Sequence, residues 1–202
     1  TIGAGDVQWM TAGAGVEHEE FHSPDYARRG GPFEMVQLWV NLPGRDKMTP
    51  PAYQGITDAD IPRVRLPDDA GTARIIAGEY GNVTGAAETF TPMNVWDMRL
   101  NAGHEVRLTL PEGHTTALFV LHGEIRSDGQ HVRTAELAIM ERSGSELAFQ
   151  VTDKATVLLL SGEPIDEPIV AQGPFVMNTR DEITQAVHDY RAGRFGRIPA
   201  TT

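Results

Sequence analysis

From residue 71 to residue 162 the sequence holds seven short β-rich segments, each closed by a turn: TARIIAG (72–78), NVWDMRL (94–100), EVRLTL (105–110), TALFVLHGEI (116–125), ELAIM (136–140), ELAFQV (146–151) and TVLLLSG (156–162). Their turns are Gly-rich, and helical periodicity is nearly absent. That pattern predicts a barrel or sandwich, and closing the sheet removes edges that would otherwise aggregate. The chain has 202 residues, enough for one large or two modest domains.

No apolar run approaches the roughly 18 residues of a membrane span, so neither a membrane partner nor a secretory core is expected, and the cytoplasm is the expected location. Acidic residues number 28 against 17 basic, a formal charge of −11, and no Lys/Arg stripe could follow a phosphate backbone. Direct nucleic-acid binding is therefore not expected. The sequence contains no Cys, which excludes disulfides, thiolate-held clusters and Cys nucleophiles. Any metal site must be built from His and carboxylate. Thr1, not Met, opens the sequence, which reads as an engineered or processed start, or as part of a longer chain.

The stretch with most chemical promise is GAGDVQWMTAGAGVEHEEFHS (3–23). A Gly-punctuated strand and turn lead into a run where His18, Glu20 and His22 alternate with Glu17, Glu19 and Phe21, so a strand would place the first three on one face. An imidazole and a carboxylate two residues apart can chelate one borderline cation such as iron, nickel, manganese or zinc. The spacing also suits an exposed, solvated strand end.

In the remaining order, 23–32 reads as a polar loop ending in Gly-Gly-Pro, and FEMVQLWVNLP (33–43) as a buried strand whose Met35, Val36, Leu38, Trp39 and Val40 belong to a core. The Pro- and charge-rich stretch 45–69 reads as a linker without a sheet of its own, with one helical turn at TDADIP. Residues 164–179 are extended and Pro-punctuated. A helix is predicted over 180–192, capped by Thr179, with Asp181 and Glu182 in its first turn and Ile183, Ala186, Val187 and Tyr190 at helical spacing.

Several stretches together resemble the pirin family: GDVQWMTAGAGVEHEE, LWVNLP, KMTPPAYQ and GEPIDEPIVAQGPFVMNTRDEITQAVHDY. The resemblance implies an all-β bicupin, two cupin β-barrels face to face, with a short C-terminal helix. Residues 1–48 would be the C-terminal part of the N-terminal barrel, 49–70 the inter-domain linker, 71–163 the C-terminal barrel, and 164–202 a return segment and helix bracing the first barrel. Pirin-like proteins bind one divalent metal, usually iron, through a His-x-His pair and a later His-x-Glu pair. The later pair maps onto His18 and Glu20. The earlier pair belongs upstream of Thr1, so the first barrel is expected to be incomplete in this chain.

The resemblance implies two functions. One is quercetinase-type cleavage of a flavonol by O2, in which Glu20 is both ligand and catalytic base and Gln8, Trp9 and Met10 flank the pocket. The other is a metal-dependent, redox-sensing regulator that binds a transcription regulator or a metabolic enzyme. In the second barrel His104, His114 and His122 form no two-residue pair, so that domain is expected to be structural.

Overall fold

The computed structural model describes residues 2–196. In chain order its elements are β1 (Val7–Thr11), α1 (Pro24–Arg29), β2 (Ala52–Ile56), β3 (Arg63–Arg65), β4 (Gly71–Ala77), β5 (Glu79–Tyr80), β6 (Val83–Thr84), β7 (Met93–Leu100) and β8 (Glu105–Thr109). They continue with β9 (Thr115–Ser127), β10 (Gln130–Arg133), β11 (Leu137–Ile139), β12 (Glu146–Gly162), β13 (Val170–Gln172), β14 (Phe175–Met177) and α2 (Arg180–Arg191). The chain divides into two compact units, one formed by residues 1–3, 8–55 and 165–202, the other by 4–7 and 56–164. Residue 1, and residues 197–202 of the predicted return segment, lie outside the described part. No helix of the described residues is long and apolar enough to cross a membrane.

The larger unit is the predicted β structure. Its sheet runs β10-β9-β12-β7-β4-β3, with β11 on β9 and β8 on β12. Strand β12 is the spine, because its last residues pair with β7 on one side and β9 on the other. Period-two alternation sends Trp96, Met98 and Leu100 of β7, Leu118 and Val120 of β9, and Val157 and Leu159 of β12 into one core with Ile75, Leu108, Phe149 and Val151. Full burial of one such side chain stabilises by about 1.5–3 kcal/mol. The two segments predicted at 146–151 and 156–162 are one strand. The register between β12 and β9 shifts between Val151 and Val157, and these bulges bend the long pair without ending it. Gly123 faces this bend at φ 81°, where a Cβ would lie 2.1 Å from the Lys154 carbonyl, so no side chain fits there.

On the opposite face of β7, Asp97 is buried but not alone. Arg74, its cross-strand partner on β4, meets it at 2.8 Å and reaches Asp58 at 2.8 Å, while Arg99 lies 3.0 Å from its other oxygen. Arg74 also donates to the Gly5 carbonyl, and the Asp58 amide donates to Asp6 Oδ1 at 2.7 Å. These bonds tie residues 4–7 to this unit.

In the smaller unit β1 pairs with β2, β13 with β14, and α2 packs on that hairpin. Phe175, Tyr190 and Phe195 form an aromatic cluster with centroids 5.5–6.3 Å apart. Phe195 lies against Gly15, where a Cβ would come within 2.6 Å of its ring. The predicted helix is present, and Thr179 and Glu182 make a reciprocal capping box.

A second tie is polar. Buried Lys47 donates from Nζ to Asn41 Oδ1 and the Leu42 carbonyl, both at 2.8 Å, while Glu167 accepts from the Gly44 amide at 2.6 Å and Asn178 Nδ2 at 2.9 Å. Burial holds the Lys47 ammonium below its ordinary pKa, partly offset by the charges of Glu167 and Glu182.

Three predictions from sequence need correction. Residues 33–43 form no strand, and Phe33 and Trp39 are 61% and 69% exposed, so Met35, Val36, Leu38, Trp39 and Val40 are not core. No described strand runs alongside them, and an apolar segment without a ladder partner cannot hold a β conformation. Stretch 45–69 is not a bare linker: β2 pairs with β1, β3 pairs with β4, and Ile56, Ile61 and Leu66 are buried. The loop at 23–32 contains α1, whose N-terminus is capped by the Ser23 hydroxyl accepting from the Tyr26 amide at 3.2 Å.

Leu159 is fully buried between Trp96 and Leu118 in the strand register. Leu159→Ala is expected to lower stability by about 2–5 kcal/mol in urea unfolding of the intact protein. Glu182 is held below the usual carboxylate range, first by the Thr179 hydroxyl and then by the Thr179 and Asn178 amides. Its contribution is therefore present above the ordinary value of 4.5 and is lost as pH falls through the lowered one. The destabilisation caused by Glu182→Gln, read as a shift in urea midpoint, should be largest near neutrality and shrink as the pH falls below the ordinary value of 4.5.

Candidate functional site

Strand β1 carries Gln8, Trp9 and Met10 and ends at a Gly-rich turn. That turn is fastened to the loop before β2: the Ala14 amide donates to the Thr49 carbonyl at 2.9 Å, and a Cβ on Gly13 would strike the same oxygen. Val16 then makes a single parallel bridge with Gly196. Beyond it residues 17–23 belong to no strand, and both His18 and Glu20 are exposed. The alternation that would align His18, Glu20 and His22 is therefore not imposed by a ladder. His22 instead stands in an aromatic group, 5.1 Å from the Tyr26 ring and 5.0 Å, edge-on, from Phe33. Tyr26 fixes that group by donating its hydroxyl to the Gly31 carbonyl at 2.7 Å.

Metal-dependent chemistry at this site would need several donors converging on one point. Among the described residues no three His, Asp or Glu side chains gather where one ion could be held. His18 and Glu20 are two donors on exposed backbone, and a two-donor site binds weakly. The described residues do not by themselves fit a resident metal ion.

The histidines of the larger unit do not gather either. The His104 carbonyl accepts from the Val151 amide at 2.9 Å, His122 lies opposite Thr156 on β12, and His114 Nδ1 is 3.5 Å from Ser161 Oγ. On the surface of this unit Gly123, Glu124, Arg133, Thr134 and Asp153 line a shallow cleft. Of its two carboxylates Glu124 is already engaged, meeting His131 Nδ1, Arg133 Nε and Thr152 Oγ1, each at 2.8 Å, and Asp153 Oδ1 accepts the Lys154 amide at 2.8 Å. These bonds, that of His131 foremost, hold Glu124 below its ordinary pKa.

Sequence reasoning missed two polar groups. One is the Lys47 cluster, whose Lys, Asn and Glu residues lie far apart in sequence. The other is Asn94, Thr116 and Ser161, which are buried on strand positions of the same parity as the core residues Trp96, Leu118 and Leu159. Their signal was available: each is a polar residue two positions from an apolar one inside a strand.

Comparison with known proteins agrees with the fold. The Pirin family profile matches residues 1–40, and the profile of the Pirin C-terminal cupin domain matches residues 95–196. A Pseudomonas aeruginosa protein provisionally named a quercetin 2,3-dioxygenase is 53% identical over 196 residues, covering 97% of this chain and 68% of that protein. Pirin of Mus musculus is 34% identical over 203 residues, covering 98% of this chain and 68% of its own length. A crystal structure of quercetin 2,3-dioxygenase from Acinetobacter baumannii superimposes with a TM-score of 0.93 at 50% identity, covering 96% of this chain and 68% of that one. By profile, by identity over nearly all its residues and by an all-β cupin fold ending in a short helix, this chain belongs to the pirin family of bicupin proteins.

Proposed function

We propose that this chain acts in a quercetinase-type dioxygenase that cleaves a flavonol with O2. Its close likeness to the Acinetobacter baumannii quercetin 2,3-dioxygenase carries this reading, because a TM-score of 0.93 at 50% identity extends over 96% of this chain. In it His18 and Glu20 are two donors to a divalent metal, iron first, completed by donors beyond those described. The work of this chain's own atoms is proton handling. The Glu20 carboxylate is exposed and can accept the flavonol hydroxyl proton as general base, leaving the substrate as the electron-rich anion that reacts with O2. Gln8, Trp9 and Met10, on the strand before the Gly-rich turn, are the proposed flank of the pocket.

A regulatory reading has separate support. A net charge of −11 suits a protein partner of basic character, such as a transcription regulator or a metabolic enzyme. In that reading the oxidation state of the metal governs binding. It calls for partner affinity that changes on reduction, with no flavonol turnover.

Oxygen-electrode assays on the full protein with quercetin separate these readings. Flavonol-dependent O2 uptake is expected, and Glu20→Ala should lower kcat about 100-fold or more. Uptake at the unaltered rate in Glu20→Ala removes Glu20 as the base. No uptake by wild-type protein loaded with iron, nickel or manganese overturns the dioxygenase reading.

A further inference from the structure

The smaller unit carries an open cleft of about 350 Å³ whose lining differs from that of the polar cleft beside Glu124. Gln172 of β13 borders it, and α2 supplies the rest: Ile183, Thr184, Val187, His188 and Arg191. Helical spacing explains the set. Positions 184, 187, 188 and 191 are three, four and seven residues apart, so they share one face, and Ile183 lies one turn before Val187. At 1.5 Å per residue, that face runs about 12 Å from Ile183 to Arg191.

The cleft has an apolar floor and a polar rim. Ile183 is 3% exposed and Val187 half-buried, while Gln172, Thr184, His188 and Arg191 are exposed. Most of the rim is already engaged. Thr184 Oγ1 donates to the Arg180 carbonyl at 3.1 Å, and Arg194 Nη2 lies 3.1 Å from His188 Nε2. Arg194 is itself neutralised by Asp189, 2.7 Å from its Nη1.

Arg191 is different. Among the described residues no carboxylate pairs with it, in a chain whose acidic residues outnumber the basic ones by 28 to 17. A basic residue in the last helical turn complements the helix dipole, but that role needs no cleft. Here the free guanidinium shares a cleft with Ile183 and Val187, so a charged donor and an apolar surface face the same space.

We infer that this cleft binds a small monocarboxylate with an apolar body, its carboxylate on Arg191 and its body along Val187 and Ile183. The lining narrows the class. A guanidinium matches the planar carboxylate with two parallel hydrogen bonds. No Asp or Glu lines the cleft, so an ammonium finds no counter-ion there. A wholly polar anion such as inorganic phosphate leaves the Ile183 and Val187 surface unused. The inference goes beyond the dioxygenase reading and uses neither His18 nor Glu20.

Octanoate is a suitable probe, with octylammonium and uncharged 1-octanol as controls of similar length, all kept below micelle formation. The readout is the methyl resonances of Ile183 and Val187 in the full protein. Octanoate should shift both saturably, 1-octanol should bind about fivefold more weakly or worse, and octylammonium should leave them nearly unmoved. Arg191→Gln should weaken octanoate about fivefold or more, the loss of one charge-assisted hydrogen bond at an exposed site. Arg191 is exposed and belongs to no cap or core, so this variant is expected to fold as the parent does. Equal affinity for octanoate and 1-octanol, unchanged octanoate affinity in Arg191→Gln, or methyl resonances that octanoate does not move would each overturn the inference.

Discussion

Everything in the larger unit depends on β12 being paired along both edges. Seventeen residues long, it holds β7 and β9 in one ladder and meets β8 with its first residues. A strand with both edges occupied has no free amides to offer a neighbour, and its inward side chains are buried by construction. The bulges between Val151 and Val157 let one strand serve two directions of pairing. Gly123 follows from that bend, since its Cα approaches the Lys154 carbonyl more closely than any side chain allows. The core residues of β7 and β4 then fall into place through their register with β12 and with each other.

Sequence reading recovered this unit because its signals are local. Short apolar, β-rich runs such as NVWDMRL and TVLLLSG, each bounded by turns, specify a buried strand without knowledge of the partner strand, and the observed β7 and β12 cover both segments. The capping box at Thr179 and Glu182 is likewise contained in four residues, and the helix starts where that motif predicts. FEMVQLWV misled for the complementary reason. Its composition is that of a strand, but whether a strand forms depends on a ladder partner, which local composition cannot reveal. β2 was passed over because Pro residues precede it and its partner β1 lies about 45 residues away in sequence.

The candidate site was legible as residue types and not as geometry. His18 and Glu20 are donor groups wherever the backbone puts them, but the period-two argument needs a strand, and the backbone leaves the strand at Val16. Exposed donors outside a ladder keep more conformational freedom, so any ion they help to bind must offset the entropy of ordering them. That constraint separates His18 from His22, whose ring already has neighbours in Tyr26 and Phe33. A ligand is best drawn from side chains that stable packing does not otherwise occupy.

Both units fasten their segments with a buried, paired charge. In the smaller one the possible ligands are exposed, while the buried charges of the Lys47 cluster join segments 41–47, 167 and 178–182, whose members are far apart in sequence. Removing one partner from such a cluster strands another in low dielectric, so it acts as a structural fastening. In the larger one charges pair both at the surface, as Glu124 does with His131 and Arg133, and inside, as Asp97 does with Arg74. A surface group that is already paired has little left to offer a ligand.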